Sequence, residues 1–152
     1  MAELTERSFQ ETRAKVLVPA SSGTRQAYRL LHVAFVVAPT VAGLDKFFNL
    51  LTHWEKYLAP ALQRALPVDA HTFFVGVGVI EIAAGLLVAM KPRIGAYVVA
   101  AWLGGIIANL LMVGGFLDVA LRDFGLLLAA VALGRLSADH DAPRVIAPRT
   151  RV

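Results

Sequence analysis

Apolar residues along this chain fall in long blocks separated by short polar breaks. Residues 72–90 (TFFVGVGVIEIAAGLLVAM) are apolar almost throughout. About twenty such residues in helical form cross the hydrocarbon core of a bilayer. Residues 94–113 read the same way, and residues 119–136 form a further block with Arg122 and Asp123 in its first turn. The first block spans 30–51. Its clean apolar part, 33–44, is too short for a core of about 30 Å, so Asp45, Lys46 and Asn49 are drawn into the span. Pro39 lies inside it and is expected to bend the helix, because proline removes one backbone bond to the preceding turn. Basic (91–93) and glycine-containing (114–118) stretches make short turns. The pattern predicts an all-α fold: a polytopic membrane four-helix bundle with spans at 30–51, 72–90, 94–113 and 119–136, within a bundle domain of 26–136.

The longest connection, 52–71, contains HWEKYLAPALQRALP. Its Trp54, Tyr57, Leu58, Leu62 and Leu66 among charges predict a short amphipathic segment lying in the interface and broken at Pro60. Residues 1–25 mix Glu3, Glu6, Arg7, Glu11, Arg13 and Lys15 with few apolar residues. They read as a polar arm with a short helix near 4–18 and no signal-peptide core. Residues 137–152 read as a polar, extended or disordered tail.

Composition sharpens this picture in two ways. The apolar fraction is 57%, above the 45–50% of an average soluble domain. There is no cysteine, which excludes disulfides, thiolate metal sites and cysteine redox chemistry carried by this chain. The net charge of +4 does not point to nucleic acid, because the basic residues flank the apolar blocks instead of forming one patch. Four spans put both termini and the 91–93 turn on one side. That side holds most of the Lys and Arg, so both termini are expected in the cytoplasm and the chain in the inner (plasma) membrane.

Glu81 is the anomaly. It sits nine residues from either end of 72–90, roughly 14 Å deep. A carboxylate there costs about 2.5–3.5 kcal/mol on insertion scales and needs a partner. Lys46 and Arg122 are the available cations. Arg122 has the longer reach and a fork suited to a carboxylate, so it is the expected partner, with Lys46 second. Asp45, Asn109 and Asp123 fall in the same outer half, and Trp102 is expected to line the pocket between them. Small residues share these faces: Gly85 and Ala89 below Glu81, Ala101 and Gly105 below Asn109, and Gly125 and Ala129 after Arg122. A second small-residue ladder runs beside them through Ala96, Ala100, Gly104 and Ala108. Three acids facing two bases leave one acid at the watery rim, with Asp118 the candidate, or Glu81 protonated. The cluster is either a polar pocket that binds a headgroup or relays protons, or an ion network that fixes helix register. His53, Glu55, Asp69 and His71 share the outer loop as a weaker metal candidate, because they lack a compact ligand spacing.

AGLDKFFNLL (42–51), GVIEIAAGLLV (78–88) and LRDFGLLLAAVAL (121–133), in this order and at these span ends, resemble the DoxX-like integral membrane family. The matching positions are Gly43, Lys46, Glu81, Gly85, Arg122 and Asp123. Some members resemble the small subunit of a thiosulfate:quinone oxidoreductase, and others are linked to membrane assemblies that manage thiol or oxidative stress. The resemblance implies a quinone-proximal or anchoring subunit, not catalytic alone, with a protein partner in a membrane complex. Lacking cysteine, the chain would leave any sulfur chemistry to that partner. The competing expectations are a purely structural accessory subunit and a small transporter. Against the transporter stands the lack of a discontinuous helix pair. His32 and His71 start their spans on opposite sides and are not placed to clamp one haem.

Overall fold

The computed structural model describes residues 22–141, and among them the chain is helical with no strand. Helix α1 runs Ser22–Asp45, a 3-10 turn covers Trp54–Tyr57, and α2 is Pro60–Ala65. The remaining long helices are α3 (Ala70–Met90), α4 (Pro92–Val113) and α5 (Leu117–Asp141). At 1.5 Å per residue, the 24, 21 and 22 residues of α1, α3 and α4 give lengths of about 36, 32 and 33 Å. These three helices are long and apolar enough to cross a membrane.

The helix ends follow local chemistry. Asp69 caps α3 by accepting from the Thr72 backbone N–H at 3.0 Å, the N-cap role that suits a short acidic side chain. Lys91 alone separates α3 from α4, and Pro92 opens α4, where its missing N–H is not needed. Gly114 closes α4 at φ 75°, a left-handed cap that glycine adopts without a Cβ penalty.

The first helix departs from the expected span. It begins at Ser22, inside the stretch expected as an arm, and stops at Asp45, not near residue 51. The rest of the expected arm, including the helix near 4–18, lies outside the described residues. The early stop has a visible cause. Asn49 takes a left-handed φ of 52°, a conformation asparagine tolerates better than most residues. The Asp45 carboxylate then gathers the backbone N–H groups of Leu50 and Leu51, each at 3.0 Å. Lys46 thus sits in the turn after the helix. At the other end of the chain, α5 extends to Asp141, so residues 137–141 are helical where a loose tail was expected. Ser137 is fully buried and donates to the Leu133 carbonyl at 2.7 Å; the remaining tail residues are outside the described range.

The four long helices alternate in direction and pack in a ring: α1 on α3, α3 on α4, α4 on α5, and α5 back on α1. The α1–α3 contact is very close. A Cβ on Gly78 would stand 2.5 Å from the Gly43 carbonyl oxygen, and one on Gly43 would stand 2.6 Å from that of Gly78. Such small-residue contacts let helix backbones approach directly. One core gathers Phe35, Val88, Val99 and Leu133 from all four helices with alanines between them. A second, smaller one places Leu58, Phe74 and Val77 under the outer loop. Large apolar side chains such as Leu30, Leu121, Leu128 and Met90 face outward. Exposed large apolar side chains in this number suit a bilayer environment.

Candidate functional site

The expected outer-half cluster divides into two parts. Glu81 projects from the middle of α3 between the two cores and pairs with Lys46, not Arg122: Lys46 Nζ donates to Glu81 Oε2 at 2.6 Å. The side chains are only 3% and 8% exposed. The expectation of an Arg122 partner is corrected by register. On α5, Arg122 points outward and is 65% exposed, while the adjacent Asp123 turns inward. Successive helix positions differ by about 100°, so only one of the two can face the bundle. Arg122 instead folds back on Asp123, with Nε 3.0 Å and Nη2 2.9 Å from Oδ1. Near a helix end its long stem can carry the guanidinium toward the rim. Asp118 is exposed.

The same register effect revises the small-residue faces. Ala101, Gly105 and Gly125 are exposed, and a Cβ on Gly105 or Gly125 would meet nothing within 4 Å. The packed stripe of α4 is its neighbour, through Ala96 and Ala100. On α3, Gly85 meets Thr40 and the Val36 carbonyl of α1, while Ala89 is exposed.

The outer loop closes over the pair. Trp54 lays its ring against Lys46 Nζ, 3.6 Å from the ring centroid, a cation–π contact that gains strength when desolvated. Its indole N–H donates to Asp45 Oδ2 at 2.8 Å. Asp45 is therefore satisfied by three N–H donors and does not compete for Lys46 as a hydrogen-bond acceptor. Asn109 of α4 clamps the loop further along. Its Oδ1 accepts from the Ala59 N–H at 3.0 Å and its Nδ2 donates to the Tyr57 carbonyl at 2.6 Å. The Tyr57 ring meets Phe116 edge-on at 4.7 Å. The loop is thus a cap pinned to α1, α3 and α4 and to the turn before α5. Sequence periodicity does not carry this arrangement, because it rests on single contacts of irregular loop residues: one cation–π contact, one ring–ring contact and a few isolated hydrogen bonds. The one available signal was Trp54, an aromatic with a polar N–H beside charges, and it was read only as an interfacial residue.

Trp102 is half-buried against the Leu58, Phe74 and Val77 cluster. Its Nε1 is buried with no acceptor among the described residues. In a native structure such a donor calls for an explanation.

The weaker metal candidate comes apart. His71 Nδ1 lies 3.1 Å from Glu55 Oε1, which also accepts from Asn49 Nδ2 at 2.9 Å. His53 is exposed, and Asp69 is committed to Thr72 through both oxygens. Among the described residues no group of three or more His, Cys, Asp or Glu is arranged to hold a metal ion. The Glu55 carboxyl is held below its ordinary value, first by its own backbone N–H, then by the Asn49 amide and His71. That of Asp69 is held below its ordinary value by the Thr72 backbone N–H and hydroxyl.

The arrangement joins a sealed charge pair, a saturated carboxylate and an asparagine clamp beneath one aromatic-rich cap. No protein-family model, curated protein or solved structure matches this chain.

Proposed function

We propose that this chain is a multi-pass inner-membrane subunit, non-catalytic by itself, that works beside a partner in a membrane redox complex. All four long helices cross the bilayer in this reading, with both termini and the α3–α4 turn cytoplasmic. For α5, whose apolar run carries three charges, Arg122, Asp123 and Arg135, the support is its packing along α4 and the pairing of Asp123 with Arg122. That pairing lowers the cost of two charges about 18 Å from Arg135 at the other end. Orientation follows the distribution of Lys and Arg. The redox association rests on the resemblance of the 42–51, 78–88 and 121–133 segments to DoxX-like proteins.

The observation that carries the role assigned to the polar cluster is the sealed Lys46–Glu81 pair. A group that binds a ligand or passes protons needs a free donor, an acceptor or a path. Here each charge is closed on the other, and Trp54 covers the cation. This supports the accessory-subunit reading, in which the pair locks α1, α3 and the cap into one register. Trp102 supports a narrower role for quinone. A quinone headgroup accepts hydrogen bonds through its carbonyls, and Trp102 Nε1 is a buried donor without a partner in an apolar, aromatic setting of the kind that suits a flat ring. When bound, the quinone would supply the electron acceptance; Trp102 would only orient one carbonyl.

Mild solubilisation followed by mass spectrometry of co-purifying proteins and lipids tests the proposal. The expected result is a stoichiometric membrane oxidoreductase partner, with extractable quinone that falls in Trp102→Phe while the complex stays intact. Recovery of the chain alone, with neither partner nor quinone, would overturn the proposal. Quinone retained in full by Trp102→Phe would remove the role of that indole.

A further inference from the structure

The connection between α3 and α4 is a single residue, and it is bracketed by unlike chemistry. Met90, Lys91, Pro92, Arg93 and Ile94 line a concavity of about 290 Å³. Met90 is 73% and Ile94 54% exposed, so the walls offer apolar surface. Lys91 and Arg93 are exposed beside them. The same end of the bundle carries exposed Arg25 and Arg29 at the start of α1 and Arg135 near the end of α5. His32 of α1 donates to the Val88 carbonyl of α3 at 3.0 Å, which places the start of α1 beside this turn. The described carboxylates Asp45, Glu55, Asp69, Glu81, Asp118 and Asp123 lie toward the other end or at mid-depth, and only Asp139 and Asp141 follow Arg135 on α5. Among the carboxylates whose side chains are described, none lies at the α3–α4 turn.

We propose that this concavity holds the headgroup of an anionic phospholipid. Its phosphate lies against Lys91 and Arg93, and its first acyl carbons run along Met90 and Ile94. Two observations converge on that occupant. The cations sit where a helix pair meets the headgroup layer, and the apolar walls continue from them toward the lipid-facing surface. A soluble anion would use only the first feature. A zwitterionic lipid would bring its own ammonium against two cations. Clustered Lys and Arg beside membrane helices attract anionic headgroups, and their long stems let the charges reach the phosphate plane. The inference rests on the bilayer reading alone and does not depend on a redox partner.

The test uses the purified full-length chain in mixed micelles, titrated with phosphatidylglycerol or phosphatidylcholine and read by native mass spectrometry. The unmodified protein should retain phosphatidylglycerol over phosphatidylcholine. In the Lys91→Gln/Arg93→Gln variant the affinity for phosphatidylglycerol should fall about thirtyfold, with phosphatidylcholine unchanged. Arg25→Gln/Arg29→Gln, on the same end but outside the concavity, should change it less than about threefold. Excess inorganic phosphate should leave the lipid in place. Three results would overturn the proposal: unchanged binding in the Lys91/Arg93 variant, an equal loss in the Arg25/Arg29 variant, or displacement by phosphate. The first denies the site, the second indicates diffuse charge attraction, and the third indicates a free-anion site. All substituted side chains are exposed, so folding is retained and is checked by the elution profile.

Discussion

At the scale of single residues, the outer cap depends on carboxylate acceptors that bind their donors more strongly when ionised. Asp69 accepts from the Thr72 N–H and hydroxyl, and these bonds hold its carboxyl below the ordinary 3.8. Glu55, ordinary value 4.5, is lowered by its own N–H, Asn49 and His71. A folded-state value below the unfolded one means stability that is present above the unfolded value and lost as pH falls through the folded one. The cap should therefore loosen below about pH 4 while the bundle core persists. Intrinsic fluorescence in a Trp102→Phe background, where Trp54 is the one tryptophan, checks this, because release from Lys46 and Asp45 changes its surroundings. Asp69→Asn should remove part of the acid sensitivity, and Glu55→Gln another part. An acid transition unchanged in both variants would show that neither carboxylate governs it. The importance of Glu81 was legible in the sequence from its depth alone. Its partner was not, because reach and fork geometry favoured Arg122 while a one-residue register difference on α5 turned Arg122 outward.

Helices and their contacts follow from hydrophobic block length more faithfully than from polar detail. The spans expected at 72–90 and 94–113 fall within α3 and α4, because caps at Asp69, Pro92 and Gly114 stand where the apolar runs end. The first span was misplaced at both ends. A strongly apolar window does not reveal that Asp45 would fold back to close its own helix. Pro60 divides the outer segment as the sequence indicated, into a 3-10 turn and α2. Which small residues pack was only half legible, since adjacent ladders on one helix look alike in sequence. The structure separates them, and the separation is measurable. Gly78→Ala places a methyl against the Gly43 carbonyl and should destabilise the fold by about 1–3 kcal/mol, the usual cost of overpacking. Gly105→Ala meets nothing within 4 Å and should be neutral or slightly stabilising, since alanine is the better helix former. Thermal unfolding in detergent compares the two. Equal effects would mean that α1 and α3 do not meet at Gly43 and Gly78.

For the molecule as a whole, the absence of cysteine makes topology simple to map. A single cysteine at exposed Arg64, in α2, should react with a membrane-impermeant maleimide on intact cells. One at Arg93 should react only after permeabilisation. The reverse pattern would invert the proposed orientation, and labelling of both on intact cells would contradict a crossing by α3, the one long helix between the two positions. The bundle in turn depends on the join at Lys46 and Glu81, where α1, α3 and the cap meet. Breaking a buried pair from one side leaves an uncompensated charge, which costs about 3–5 kcal/mol, whereas replacing both partners with apolar groups is often neutral. A double-mutant cycle on unfolding free energy is therefore the most direct measurement. Glu81→Leu and Lys46→Met should each lose about 3–5 kcal/mol, and the double variant should recover most of that loss. Additive losses would contradict the account by showing no coupling between the two side chains, and single variants of unchanged stability would show that the pair does not hold the bundle together.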